Sequence, residues 1–470
     1  MTASVLFVIA EMTPLVKVGG LADVGGALPR ALRELGLDVR VALPLYESID
    51  SVPAVKRAEL VGGAALWTMD VNGVPVYLIK DGPSFGRKGV YGYGDDVQRF
   101  LAFSDALLEA SDKMDWEPEL IHLNDWHPGA IATRLAVSTE HPWSRCALVS
   151  TVHNVAFTGE FDDAFAHRYG LEVGGAPATR NMLAQAVLHA DAITTASPTY
   201  AMELLAPDAA GALAQLLADR SGRVHGILNG LDAEAFDPST DKYLAALFDA
   251  DSIEQRLKNK TVLQAKLRLP EDADVPLIGM VSRLFWQKGI DLAADAIEEL
   301  LQTCSLQFVA LGQGDDDNER ALVDLAERHP DHVAVNIGFN EPLGQLIYGG
   351  SDIFLMPSRY EPGGIGQLIA MRYGSVPVVR HTGGLADSVS QCEVSRDSGT
   401  GFLFDDLTPE SVAAAIEQAI ALYEDRDAWR ALQRRGMSQD FSWSATAQQY
   451  EGVYEEAIAH KKAMSVREEA

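Results

Sequence analysis

Short apolar runs recur along the chain with helix-like spacers between them, and this rhythm constrains the fold more than any other feature. In the first half the runs are 5–10, 39–43, 74–79, 120–123, 147–152 and 192–195. A parallel strand covered on both faces reads as a continuous apolar segment rather than as an alternation. The rhythm resumes after Pro270 with 277–281, 306–311, 332–337, 353–356 and 376–379. Two doubly wound, Rossmann-like α/β halves account for both series. A chain of 470 residues also exceeds what one hydrophobic core usually supports. Turn formers concentrate at 229–241 (NGLDAEAFDPSTD) and a helix is expected over 258–269. The expected domains are therefore 1–240 and 241–440, with a helical segment 441–470 returning to the first.

Lys plus Arg number 38 against 67 Asp plus Glu, a net charge of -29. Such a field repels nucleic acid and anionic membrane surfaces and is indifferent to an uncharged polymer. Any phosphate site must then supply its own cations and backbone N–H groups. Cys146, Cys304 and Cys392 fit no disulfide, zinc or redox spacing, so free thiols in a cytoplasmic protein are expected. The run 5–10 is too short and lacks the basic flank of a signal peptide, and no run is long enough to span a bilayer.

One pentapeptide occurs twice: Gly19-Gly20-Leu21-Ala22-Asp23 and Gly383-Gly384-Leu385-Ala386-Asp387. Each copy is expected between a strand and a helix, where paired glycines let a phosphate approach a helix N-terminus. Lys17 adds a cation to the first copy. A tight βα turn with an incidental lysine explains that loop equally well.

The segment Lys17–Asp23 nevertheless resembles the K-x-G-G-L-A/G-D signature of bacterial glycogen synthases and plant starch synthases. Further blocks match in the same order: HLNDWH at 122–127, TVHNVAFTGEF at 151–161, GILNGLD at 226–232, SRLFWQKGIDL at 282–292, PSRYEPGGIGQ at 357–367 and TGGLAD at 382–387. The resemblance spans nearly the whole chain. It implies two Rossmann-like domains facing each other across a deep cleft. It also implies a retaining glucosyltransferase that uses ADP-glucose or UDP-glucose, an α-1,4-glucan acceptor, and neither metal nor other cofactor.

Chemistry gives each matched residue a role to be tested. Departure of a nucleoside diphosphate requires neutralised pyrophosphate, stabilised positive charge at the anomeric carbon and exclusion of water. Arg283 and Lys288 follow the strand 277–281 and can supply the cations; two solvated surface charges are the plain alternative. His153 and Asn154 end the strand 147–152, and the resemblance places the imidazole beside the anomeric centre, although a histidine there is often structural. Glu361 precedes Pro362, Gly363 and Gly364. Its carboxylate would repel phosphate, so the resemblance assigns it glucose hydroxyls; an exposed helix-capping acid is the alternative. Asp125 and Asp23 are candidates for the sugar or acceptor, and Asn229 for a glucose hydroxyl or an ordinary Asn-Gly turn. Phe339 is a candidate for stacking on the donor base or for core packing. The donor set is completed by Gly19, Gly20, Gly363, Gly364, Thr382 and Gly383.

Three positions depart from the family pattern: Val18 stands where threonine is frequent, Gly363 where many bacterial members carry cysteine, and Ile369 where two-glutamate transferases carry a second acid. Gln367 can take the last polar role. Asp315-Asp316-Asp317 is expected as a solvated loop rather than a magnesium site. Hydrolase, kinase, zincin and dinucleotide motifs find no match. Three functions stay open: an α-glucan elongating synthase, a same-fold transferase with a small acceptor such as glucose 1-phosphate, and a non-catalytic carbohydrate-binding protein.

Overall fold

A computed structural model describes residues 3–49, 52–171, 180–206 and 211–468. The chain divides into two compact units, Met1–Gly230 with Trp443–Ala470, and Leu231–Ser442. The first boundary falls at 230/231, at the start of the turn-rich 229–241 segment rather than at its end. The reason is packing: Leu231 N donates to Phe441 O, and Leu231 and Phe248 are core residues of the second unit, with Phe236 and Leu244 packed against them. The second boundary likewise moves to 442/443.

The first unit is built on a nine-stranded sheet. Its strands are β1 (Ser4–Val8), β2 (Asp38–Pro44), β3 (Val55–Glu59), β4 (Ala65–Val71), β5 (Val74–Lys80), β6 (Leu120–Asn124), β7 (Ala147–Val152), β8 (Ala192–Thr195) and β9 (Val224–Gly226). The order is β3-β4-β5-β2-β1-β6-β7-β8-β9. From β5 to β9 neighbours are parallel, and β4 and β3 add antiparallel at one edge. Every expected run of this half meets a strand, the first ending at Val8 rather than Ala10, and Val5, Leu6, Phe7 and Val8 are all fully buried. From β1 the chain works outward one way through β2 and β5, then returns to β6 beside β1, which makes the β1/β6 gap the switch point where ligands of such sheets collect.

The long C-terminal helix Trp443–Glu468 belongs to this unit. Thr446 Oγ1 donates to Leu228 O at 3.0 Å, Tyr454 Oη lies 2.8 Å from His122 Nδ1, and His460 Nδ1 lies 2.8 Å from Asp191.

The second unit holds six parallel strands: β10 (Leu277–Val281), β11 (Gln307–Gly312), β12 (Val333–Ile337), β13 (Ile353–Met356), β14 (Val376–Arg380) and β15 (Phe402–Phe404). Their order β12-β11-β10-β13-β14-β15 puts its switch point between β10 and β13. Asp315–Asp317 form no loop. Asp315 is the N-cap and Asp316 and Asp317 begin the helix Asp316–Arg328, where carboxylates complement the helix dipole. Cys146 is buried, Cys304 and Cys392 are half-buried, and all three are free thiols. Among the described residues no helix is long and apolar enough to cross a membrane.

Candidate active site

In each unit the candidate side chains follow the C-terminal ends of the parallel strands. After β1 the chain runs through Glu11 to the glycine loop and into the helix Gly20–Glu34. Two glycines of that helix seat the loop: a Cβ on Gly25 would lie 2.3 Å from Glu11 O, and one on Gly26 2.0 Å from Thr13 Oγ1. Pinned this way, the buried Glu11 folds back over the loop. Its carboxylate accepts from Val18 N at 2.5 Å and Gly19 N at 2.9 Å, and from Tyr91 Oη at 2.8 Å. Glu11 is not legible from sequence, because nothing in linear spacing shows a carboxylate returning to amides seven and eight residues later. Lys17 Nζ contacts both oxygens of Asp23 at 2.6 and 2.9 Å. Gly19 and Gly20 have open space where a side chain would be.

Across the first switch point, Asp125 follows β6 in left-handed backbone, φ 58°, a conformation uncommon outside glycine. Its carboxylate accepts from His153 N at 2.7 Å. Burial pushes its pKa up to about 7, against the pull of hydrogen bonds from the backbone of His153 and Asn154. His153, at the end of β7, places Nε2 3.0 Å from Asn124 Oδ1, and burial lowers it to about 4; at neutral pH the imidazole is uncharged. Asn154 closes an Asx turn on Ala156 N at 2.9 Å. Gly159, φ 68°, allows this loop to lie on Trp126, whose ring would be 2.4 Å from a Cβ. His127 stacks on Trp126 with ring centroids 4.3 Å apart, is lowered to about 3 by burial, and its Nδ1 has no partner. Asn229, beyond β9, also has a buried, unpartnered Oδ1.

At the second switch point, Arg283 follows β10 and is exposed, its guanidinium 5.5 Å over the ring of Phe285. Lys288 Nζ contacts Glu361 Oε2 at 2.5 Å, and Ser358 Oγ donates to the same oxygen at 3.0 Å. Glu361, on the turn after β13, is 6% exposed, so it is no surface helix cap. Glycine seats this turn as well. A Cβ on Gly383, φ 43°, would lie 2.1 Å from Glu361 O, and one on Gly384 2.1 Å from Gly363 O. Gly384 N donates to Glu361 O at 2.9 Å. Gly364, φ 61°, would otherwise press on Glu361 Cγ at 2.9 Å. Buried Gln367 closes the turn from below, donating to Gly363 O and Gly364 O at 3.2 Å and to Ser388 Oγ at 3.0 Å. Thr382, 3% exposed, is the N-cap of the six-residue helix Gly383–Ser388.

Known proteins match this chain from end to end. The family model described as starch synthase catalytic domain matches residues 4–219, and that of glycosyl transferases group 1 matches 263–435. A glycogen synthase of Syntrophotalea carbinolica is 40% identical over 97% of this chain and 99% of its own. One from Gloeobacter violaceus is 41% identical with the same coverage. The chain belongs to the glycogen synthase family. It is a glycosyltransferase. The catalytic domain of starch synthase IV from Arabidopsis thaliana, solved bound to ADP and acarbose, superimposes with a TM-score of 0.88 at 32% identity, covering 98% of this chain and 100% of that one.

With the family fixed, the candidate residues fall into two sets. In the first unit Lys17 and Gly19 on the loop after β1 and Gly20 and Asp23 in the first turn of the following helix lie together, Asp125, His153 and Asn154 share the ends of β6 and β7, and Asn229 stands apart beyond β9. In the second, Lys288, Glu361, Gly363, Gly364, Thr382 and Gly383 form one packed group, with Arg283 on the same loop as Lys288. Phe339 is not core: it is 91% exposed after β12. The two pentapeptide copies also differ. The first presents open glycines, whereas the second is pressed against the Glu361 turn. Besides Glu11, sequence reasoning missed Ser358 and the open Nδ1 of His127.

Proposed function

We propose that this chain lengthens an α-1,4-glucan by retaining transfer of glucose from ADP-glucose or UDP-glucose to the non-reducing end. The observation that carries the reading is the second switch point, where Arg283 and Lys288 follow one strand and buried Glu361, paired with Lys288, follows the next. Arg283 and Lys288 take the pyrophosphate, with Lys17 a further cation once Asp23 releases it, so cationic side chains stand where other transferases use a metal. Glu361, freed from Lys288 when phosphate arrives, accepts glucose hydroxyls and faces the positive charge that develops at the anomeric carbon. The turns at Gly363 and Gly364 and at Thr382 and Gly383 supply close backbone approach, and Phe339 a stacking face for the base.

On the other substrate, neutral His153 orients a hydroxyl beside the reacting carbon, and Asp125, Asp23 and Asn154 hold sugar hydroxyls. The unpartnered Oδ1 of Asn229 accepts another. Incubation of the purified chain with labelled ADP-glucose and glycogen tests this: label should enter glycogen and be released as maltose by an exo-acting α-1,4-glucanase. Label passing only to glucose 1-phosphate would establish the small-acceptor reading instead. Label that stays on every nucleotide donor tried would remove the catalytic one.

A further inference from the structure

Trp286 is 62% exposed on the turn that follows β10. A single exposed apolar side chain is ordinary, but this one is immobilised. The Arg359 guanidinium lies 4.8 Å over the indole and donates to Trp286 O at 2.9 Å. The same guanidinium holds Asp291 through two bonds of 2.8 and 2.6 Å. Arg359 N donates to Gln287 O at 2.8 Å, and Gln287 Nε2 to Tyr360 O at 3.1 Å. The turn is thereby stapled to the segment that leads into Glu361. Arg359 is 14% exposed at its side chain, so it backs one face of the ring and leaves the other to solvent.

A flat aromatic face already fixed in place loses little freedom when a ligand lands on it. Its surroundings select the ligand. The guanidinium behind the ring is neutralised by Asp291 and Lys288 on the same turn by Glu361, and the protein carries -29 overall; with Arg283 assigned to the donor, the open ring face itself offers no charge and suits an uncharged ligand. An uncharged pyranose fits, with its C–H face on the indole and its hydroxyls toward water and the polar rim. We infer that the open face of Trp286 is a platform for glucosyl rings of an α-glucan, separate from the groups that carry transfer. The inference rests on the glucan acceptor proposed above and adds a place where the polymer is held.

The test compares wild type with Trp286→Leu, which keeps apolar packing on Arg359 but removes the ring, and Trp286→Phe, which keeps a smaller ring. Native gels containing glycogen should show binding weakened about threefold to tenfold in the leucine variant and mostly retained in the phenylalanine one. A fluorescence change on adding maltohexaose should be present in wild type and absent in Trp286→Leu, the comparison isolating one of the 7 tryptophans. Transfer to maltotriose, which reports folding and the reaction itself, should be the same in all three. Glycogen bound equally by Trp286→Leu and wild type overturns the platform. So does a Trp286-dependent signal from ADP alone, which would assign the ring to nucleotide. A wild type that binds glycogen but never transfers glucose sinks the proposed reaction and leaves the platform standing.

Discussion

Glu361 is 6% exposed, and a carboxylate that deep requires a balancing charge and hydrogen bonds. Lys288 and Ser358 provide them. Removing only the cation leaves a buried anion uncompensated, at a cost of about 3–5 kcal/mol. Lys288→Ala should therefore lower the thermal midpoint markedly, and Lys288→Ala combined with Glu361→Gln should recover much of the loss; a double variant no more stable than the single would show that the pair is not the source. In the transfer assay Lys17→Ala, Arg283→Ala and Glu361→Gln should each reduce kcat/KM by at least about tenfold, or ~1.4 kcal/mol of transition-state stabilisation. Wild-type turnover by folded Glu361→Gln would remove Glu361 from the reaction. Asp125 offers a pH test. Its folded pKa of about 7 lies above an unfolded value near ~3.9, so the folded state resists ionisation and stability from this residue declines as pH rises through that window. His153 and His127, lowered to about 4 and about 3, act the other way: below ~6.5 the unfolded chain takes up protons that the folded one refuses, and stability falls with pH. Asp125→Asn should accordingly raise the thermal midpoint more at pH 8 than at pH 5. An advantage independent of pH would refute the assignment.

The two glycine loops follow matching pentapeptides yet answer to different neighbours. At Gly20 a methyl group meets nothing within 4 Å, so Gly20→Ala should unfold at the wild-type temperature and lose transfer only because a ligand needs the space. At Gly383 the methyl would meet Glu361 O at 2.1 Å with φ already at 43°, so Gly383→Ala should destabilise the second unit and displace the turn. Equal midpoints for the two variants would contradict this difference. The C-terminal helix makes a comparable claim on the first unit: Tyr454→Phe strips buried His122 of its Nδ1 partner, which should cost about 1–3 kcal/mol and lower the midpoint. How far such elements could be read from sequence depended on burial. The runs around Phe7, Val149, Phe308 and Leu355 were legible because both faces of those strands are covered. β3 escaped notice because it is an edge strand with Lys56, Arg57 and Glu59 facing water, and β9 and β15 are three residues each. The site was legible wherever a family motif marked it. Glu11 lies outside the matched blocks, and Ser358 and Asp291, although inside them, take roles that only the folded turns show: Ser358 reaches Glu361 three residues on and Asp291 meets Arg359.

At the scale of the molecule, 67 acidic residues outnumber 38 basic ones, and the cations proposed for the donor do not stand free of that excess. Lys17 is held by Asp23 and Lys288 by Glu361; Arg283 alone of the three rests on a ring rather than a carboxylate. On the proposed reading donor binding is an exchange, in which phosphate oxygens replace carboxylates around ammonium groups and the displaced acids become available to sugar hydroxyls. Exchange of this kind needs no imported cation. Transfer measured in a chelator should therefore stay within about twofold of the untreated rate, and magnesium should not rescue Arg283→Ala, because a hydrated divalent ion cannot reproduce a guanidinium fork at that loop. A collapse in EDTA that magnesium restores would mean that a metal, rather than Arg283 and Lys288, takes the charge of the leaving diphosphate.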